Sequence, residues 1–286
     1  MNTLHQKNAY FVAVPIGNPK DFSLQAIEVL KEIEILVCEN ILKTKELLQR
    51  SSINDTSKKF YSLSAFVEKN QSLGDFLENK IQDQNFAFLS DAGTPLINDP
   101  GKLLLHAAEE NGFTIKALSG PCAGILAYQQ SGGFGLPLFL AGFPPKKNKT
   151  AFFQALKHSA SFVFYESKHR ILETLKFISE DMKSPDLEII LCRELTKKHE
   201  EIFKTQIHNM ITLLEERNVK TAPFGEITCI LKGQLNENQL SSSGDSWTLE
   251  ELVSIRNSSP SDAAKSIAKR MKLSKSEVYG LFKPQS

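Results

Sequence analysis

The sequence predicts an α/β fold made of two α/β domains, followed by a small helical module at the C-terminus. Three observations carry this prediction. Short apolar runs alternate with segments whose apolar residues recur at helical spacing, which is the pattern of βαβ units and a largely parallel sheet. A strand-like run over 86–89 stops abruptly in a loop of acids, glycines and prolines, SDAGTPLINDPG, before a helix pattern begins at Lys102. After Gly233 the composition changes to the polar tether NENQLSSSGDS. At 286 residues the chain exceeds one typical core and fits two domains. The expected division is 1–141, 142–233, a linker over 234–246 and a module over 247–286.

Each element follows from its residues. The run over 10–14 reads as a first strand and ends in the turn Pro15-Ile16-Gly17-Asn18-Pro19. Leu24, Ile27 and Leu30 lie at helical spacing, so 24–33 is a helix. A short strand over 35–38 and a helix over 41–50 come next, then a helix over 66–81 and the strand over 86–89. Two Asp-containing turns, Asp91-Ala92-Gly93 and Asp99-Pro100-Gly101, fix both ends of the following loop. At the carboxyl end of a parallel strand, such a rigid, backbone-rich loop is where α/β folds bind ligands.

A strand over 113–117 follows, and Ser119-Gly120-Pro121-Cys122-Ala123-Gly124 turns into another helix. Gly142-Phe143-Pro144-Pro145 with the lysines behind it marks the expected boundary. Beyond it, strands are expected over 161–165 and 188–192, a helix over 171–177, and a strand of a mixed sheet over 225–231. The terminal module has three short helix patterns, over 249–255, 261–271 and 274–282, and carries more basic than acidic side chains. Composition leaves open whether it touches nucleic acid, forms a dimer contact or is a solvated cap.

Bulk properties narrow the function classes. Apolar content of 41% and charged content of 23% are those of a soluble globular protein. A net charge of +1 provides no global steering toward nucleic acid, so any such contact needs local basic patches. Cys38, Cys122, Cys192 and Cys229 have no CxxC spacing and read as free thiols in a reducing cytosol. No signal-peptide pattern opens the chain and no apolar run is long enough to span a bilayer, so a cytoplasmic location without membrane contact is expected. No cluster has metal-ligand spacing, and no GxGxxG supports a dinucleotide site.

Read in order, the loops are Val12-Ala13-Val14-Pro15-Ile16-Gly17-Asn18, Ser90-Asp91-Ala92-Gly93-Thr94-Pro95-Leu96-Ile97, Asp99-Pro100-Gly101 and Gly120-Pro121-Cys122-Ala123. They continue with Gly142-Phe143 before Lys146-Lys147, Phe164-Tyr165-Glu166-Ser167-x-His169-Arg170-Ile171, Arg193-Glu194-Leu195-Thr196-Lys197 with His199-Glu200-Glu201, and Gly225-Glu226. This ordered set resembles the tetrapyrrole methylase-like methyltransferases. Within them it is most similar to the branch that methylates the ribose 2′-oxygen of a decoding-centre cytidine in small-subunit (16S) ribosomal RNA. The resemblance covers about residues 10–231. Any single tripeptide is weak evidence, whereas the ordered set is specific.

The resemblance implies S-adenosylmethionine as methyl donor, held between the two α/β domains, with no metal. It also implies small-subunit rRNA or the 30S subunit as partner, and a homodimer. On the donor side it points to Pro15, Asp91, Gly93, Thr94, Cys122, Ala123, Tyr165 and Gly225. Backbone groups at Gly93, Thr94, Cys122 and Ala123 suit hydrogen bonding where no long side chain intrudes. Asp91 is either an electrostatic partner of the cationic donor or the cap of its own turn.

Methyl transfer to a hydroxyl is an in-line displacement that gains from positioning and from a base or nearby cation. Glu39 and Lys43 form one acceptor-side group, and Glu166, His169 and Arg170 a second. His169 is a base or a hydrogen-bonded structural histidine. Arg193, with Glu194 and Lys197, suits phosphate binding or an Arg–Glu brace. Lys146, Lys147 and Lys149, with Arg170, suit RNA backbone contacts, or the lysines are a merely solvated run.

One departure stands out: where the family has Glu-Asp-Thr-Arg-His-Thr, this chain has Glu39-Asn40-Ile41-Leu42-Lys43-Thr44. The segment over 62–70 also lacks the family's His-rich stretch. Donor-side motifs are kept while acceptor-side motifs differ. Two alternatives remain: methylation of a small molecule such as a tetrapyrrole, and a non-catalytic donor-binding interaction protein.

Overall fold

The structure, a computed structural model, describes residues 7–63, 72–221, 224–234, 259–271 and 278. The chain divides into two compact units, Met1–Gly233 and Gln234–Ser286. The first unit contains two five-stranded sheets.

The first sheet is formed by β1 (Asn8–Val12), β2 (Ile35–Cys38), β3 (Lys59–Ser62), β4 (Phe86–Leu89) and β5 (Thr114–Leu118) in the order β3-β2-β4-β1-β5. All its pairings are parallel. The inner strands β2 and β4 are apolar on both faces because helices cover both. One face buries Phe11, Val37 and Phe88 against Leu104 and Ala108 of α4 (Lys102–Glu110) and Phe76 and Ile81 of α3 (Leu73–Phe76, whose last turn widens over Leu77–Ile81). The other face buries Val12, Leu36 and Leu89 against Ala26 and Leu30 of α1 (Leu24–Glu32) and Leu48 of α2 (Ile41–Arg50). Side-chain caps set the starts of both: Ser23 accepts from the Ala26 amide, and Asn40 from the amides of Leu42 and Lys43. The helix expected over 66–81 is seen from Leu73 onward; its first part lies outside the described residues.

This arrangement creates a switch point. β1 and β4 are neighbours, yet the chain leaves β1 for α1 on one face and β4 for α4 on the other. The two loops diverge and open a crevice at the strands' carboxyl ends, the place such folds bind ligands. A reciprocal pair of backbone hydrogen bonds clasps its base: the Val14 amide donates to the Gly93 carbonyl at 2.8 Å and the Gly93 amide to Val14 at 3.0 Å.

The second sheet is mixed, as expected. It contains β6 (Leu138–Gly142), β7 (Ser161–Ser167), β8 (Glu188–Arg193), β9 (Glu201–Gln206) and β10 (Glu226–Lys232) in the order β6-β7-β10-β8-β9. Only β6 and β7 run parallel. β6 lies ahead of the expected boundary at Gly142 and already belongs to this sheet. One face packs Phe162, Phe164 and Leu191 against Phe153 of α6 (Lys149–Phe153), Ile171 and Leu175 of α7 (Ile171–Lys176), and Met210 of α8 (Ile207–Glu216). The other face receives α5 (Ala123–Ser131), whose Ala127 joins Val163, Ile190 and Ile230. α5 follows the first sheet in the chain but packs on the second. Ile16, from the loop after β1, enters the same cluster.

In the second unit, α9 (Pro260–Met271) starts at Ser259, whose hydroxyl both accepts from the Asp262 amide and donates to its carboxylate. Ala264, Ala268 and Val278 pack together. The helix expected over 249–255 lies outside the described residues, as does that over 274–282 apart from helical Val278.

Gly142 ties the two sheets together. Its φ of 82° is left-handed, and a Cβ there would collide with the Asn98 side chain from the first sheet's loop. Gly132, at φ 74°, has nothing among the described residues within 4 Å of such a Cβ. Gly132→Ala is expected to cost only the backbone penalty, about 1 kcal/mol. Gly142→Ala adds the clash, for a total of roughly 2–3 kcal/mol. Denaturant unfolding of the two variants checks this, and equal costs would refute the Asn98 packing as a constraint.

Candidate active site

A cavity of about 600 Å³ opens in the crevice between the sheets. Its size lies in the range of small-molecule sites. The loop after β4 forms one wall with Ala92, Gly93, Thr94, Ile97, Asn98 and Asp99, beside Ile16 of the loop after β1. Cys122 and Ala123, at the start of α5, form the second wall. Phe143, Tyr165, Glu166, Ser167 and Lys168 form the third, and Glu194, Leu195 and Gly225 to Thr228 the fourth.

Hydrogen bonds lock these walls to each other. The Thr94 hydroxyl donates to the Pro121 carbonyl at 2.9 Å, joining the first two loops. The Tyr165 hydroxyl accepts from the Gly124 amide at 3.1 Å, so β7 holds the N-terminal turn of α5. Burial, with the Cys122 thiol nearby, pushes the Tyr165 hydroxyl pKa up, so it stays protonated. Lys197 pairs with Glu194 at 3.1 Å and Glu226 at 3.0 Å, and its stem packs on Gly17. Burial alone would raise the Glu194 pKa, but the Glu226 amide and Lys197 outweigh it and hold that carboxylate below its ordinary value. Left-handed φ values at non-glycine residues cluster here: Leu96 (72°) and Asn98 (65°) on one side, Glu194 (51°) and Thr196 (66°) on the other. Strain of this kind persists only where the surroundings enforce it.

The structure brings Gly93, Thr94, Cys122, Ala123, Tyr165, Glu166 and Gly225 into the cavity wall. Buried Pro15 adjoins the lining residue Ile16 without lining the cavity itself. Asp91 stands beside the wall. Its amide donates to Glu39 at 3.0 Å, and its carboxylate pairs with Lys43 at 2.6 Å. That hydrogen bond raises the Lys43 pKa. The other Asp91 oxygen, Oδ1, is buried and has no hydrogen-bond partner among the described residues. The substituted run is thereby explained in part: Asn40 caps α2 as an aspartate would, while Leu42 lies 79% exposed.

Other residues take different places. Although Glu166 lines the cavity, its buried carboxylate accepts from Thr174 at 2.8 Å and from the Ser167 amide at 2.9 Å, which commits it to structure. Arg193 is buried, donates to the Phe224 carbonyl at 2.9 Å, pairs with Glu201 and stacks on Phe224, so it braces β8 against β9 away from the cavity. Arg170 holds the Pro144 carbonyl at 2.7 Å. His169 is exposed and lies off the cavity wall. Lys146 and Lys147 are exposed. Lys149 is buried and paired with Glu173, so it is not offered to an external phosphate.

Sequence reasoning passes over Asp99 except as a turn residue. The structure places its carboxyl in the cavity wall, half-buried. Burial first, then the nearby Glu39 and Asp91 carboxylates, push its pKa to about 6, against the Ser90 hydrogen bond that lowers it. The turn signature Asp-Pro-Gly is the only local signal, and the perturbing groups come largely from other segments.

The cavity's chemistry suits a cationic small molecule: backbone-rich walls, the Asp91 carboxylate beside them, and carboxylates at Glu194 and Glu226. An acid whose pKa rises on folding makes the native state hold an extra proton between about pH 4 and pH 6. Stability from this group therefore falls as pH rises through that window. Asp99→Asn is expected to stabilise the protein at neutral pH by about 1 kcal/mol, after allowance for solvent screening of a half-exposed group. The gain should shrink toward pH 4, and thermal unfolding at both ends of the window checks it.

The family model of tetrapyrrole (corrin/porphyrin) methylases matches residues 8–211. A Hydrogenobaculum sp. protein named ribosomal RNA small subunit methyltransferase I is 36% identical over 230 residues, covering 78% of this chain and 94% of its own. A protein of the same name from Streptococcus pyogenes serotype M3 is 33% identical over 278 residues, covering 96% and 93%. Among solved structures, the cobalt precorrin-4 methyltransferase CbiF superposes with a TM-score of 0.57 at 13% identity, over 79% of this chain and 94% of its own. Diphthine synthase gives 0.56 at 16% identity, over 82% and 94%. These two likenesses concern the fold. The family match and the relatives settle the family: this chain belongs to the tetrapyrrole (corrin/porphyrin) methylases.

Proposed function

We propose that the protein transfers a methyl group from S-adenosylmethionine to the ribose 2′-oxygen of a decoding-centre cytidine in small-subunit (16S) rRNA. It acts in the cytoplasm, as a homodimer, on the 30S subunit. The observation that carries this reading is the cavity at the β1/β4 switch point. Its walls combine backbone donors with acidic side chains, and its rim at Phe143 leads within a few residues to the exposed Lys146-Lys147 pair. The relatives named as small-subunit rRNA methyltransferases support the acceptor class. The fold alone does not select it, because the solved neighbours include methylases of other substrates.

When bound, S-adenosylmethionine supplies a methyl group activated on a sulfonium. The chain's residues do the rest. Gly93, Thr94, Cys122, Ala123 and Gly225 provide close walls and main-chain hydrogen bonds, and Pro15 fixes the turn that delivers Ile16. Asp91, oriented by Glu39 and Lys43, supplies negative charge beside the donor. Phe143 and Tyr165, with ring centroids 5.5 Å apart, form an aromatic wall. Holding donor and acceptor in line supplies much of the acceleration. Glu166 and Arg193 keep this geometry from outside the reacting atoms, and Arg170 fixes the loop that presents Lys146 and Lys147 to the RNA backbone.

Mapping 2′-O-methylation of 16S rRNA from cells with and without the gene tests the proposal; an unchanged profile rules it out. Donor binding without transfer to 30S subunits would instead favour a binding protein. The double variant Lys146→Glu/Lys147→Glu is expected to raise KM for the subunit roughly tenfold or more, because a protein that neutralises fewer phosphates releases fewer counterions on binding. Donor affinity by calorimetry should be unchanged.

A further inference from the structure

The acids around the cavity are not equivalent. Asp91 is paired with Lys43, and Glu39 accepts from the Asp91 amide. Glu194 and Glu226 share Lys197. Glu166 is engaged by Thr174 and the Ser167 amide. Asp99 remains: it lines the cavity, and among the described residues no lysine or arginine forms an ion pair with it. The groups that perturb it are Glu39 from the end of β2 and Ser90 and Asp91 from its own loop, and Tyr165 of β7 feels its charge. Glu166 and Lys168, of β7 and the turn after it, line the same cavity. Two of the perturbing groups are carboxylates, and Tyr165 is a phenol held protonated. The preceding residue, Asn98, has a left-handed φ of 65° and its side chain lies against Gly142.

We propose that the Asp99 carboxylate is the general base that takes the proton of the acceptor hydroxyl during methyl transfer. This assignment rests on the methyltransferase reading above and adds the residue that completes it. The acceptor oxygen forms a bond to the methyl carbon as the carbon–sulfur bond breaks, and that electron pair stays on sulfur, leaving neutral S-adenosylhomocysteine. The hydroxyl proton passes to an Asp99 oxygen, which later releases it to water. A fixed anchor for the donor's positive charge needs a carboxylate that stays ionised, which the paired acids provide. A base needs raised proton affinity and an oxygen not held in an ion pair, which Asp99 provides. The neighbouring carboxylates and burial supply that affinity, and a value of about 6 keeps Asp99 ionised and ready at neutral pH.

The test uses the full-length enzyme, 30S subunits lacking the modification and labelled S-adenosylmethionine. Wild-type kcat/KM is expected to rise with pH through about 6 and then level off. Asp99→Asn should bind S-adenosylmethionine within about threefold of wild type by calorimetry, with kcat lower by roughly 100-fold and the rise with pH gone. Asp99→Glu should recover part of the rate together with a pH-dependent limb. Loss of donor binding in a folded Asp99→Asn protein would overturn the assignment in favour of a donor anchor. A wild-type profile without the limb, or an undiminished Asp99→Asn rate, would also overturn it while leaving the acceptor reading intact. A wild-type enzyme inert toward the subunit would sink both together.

Discussion

The reciprocal backbone hydrogen bonds between Val14 and Gly93 are the constraint on which the site depends. Neighbouring parallel strands whose helices lie on opposite faces must send their loops apart, and the crevice this leaves would otherwise have no floor. By pairing just beyond the strand ends, the two loops close it with main chain. Ile16 can then lean into the second sheet's core, while Gly93 and Thr94 face the cavity. No side chain is needed at the clasp itself, which is why short, apolar or turn-forming residues occupy it.

Around that floor, charge is arranged in two ways. Most acids at the rim are matched: Lys43 with Asp91, Lys197 with Glu194 and Glu226. Two of these pairs join segments far apart in sequence, so they hold the walls in register as well as balancing charge. Partly exposed pairs contribute little stability singly, and their value here lies in orientation. Asp99 breaks the pattern. An unmatched, half-buried carboxyl lowers native stability at neutral pH, and functional sites are where proteins accept such costs.

Much of this architecture was legible in the sequence. The inner strands β2 and β4 are short continuous apolar runs because both faces are covered, and the helical spacing of Leu24, Ile27 and Leu30 marks α1. The strands without a sequence expectation are β3, β6 and β9. β3 and β9 are half-exposed edge strands, KFYS and EIFKTQ, whose charges mask their pairing. β6 sits just before a proline pair that reads as a linker. At the site, the glycine- and proline-bearing loops announced a ligand platform. What they could not announce was pairing across distance: that Arg193 is committed to Glu201 and the Phe224 carbonyl, that Lys149 is buried on Glu173, and that Asp99 is surrounded by other acids. Such properties belong to neighbours brought in from remote segments, and no local pattern encodes them.

α5 has a further consequence for modularity. It is delivered by the last strand of the first sheet, yet its body is part of the second sheet's core, and its first residues wall the cavity. In a chimaera between two relatives, a seam before Cys122 would keep α5 with its packing partners but separate it from the loop that aims it. A seam after Ser131 would do the reverse. No single junction respects both, so recombination cannot exchange the half bearing the Gly93 loop for another without also disturbing the half that carries Tyr165 and Gly225. An insertion or deletion near residue 122 is felt on both sides at once, by the helix that packs on the second sheet and by the wall that the same residues form.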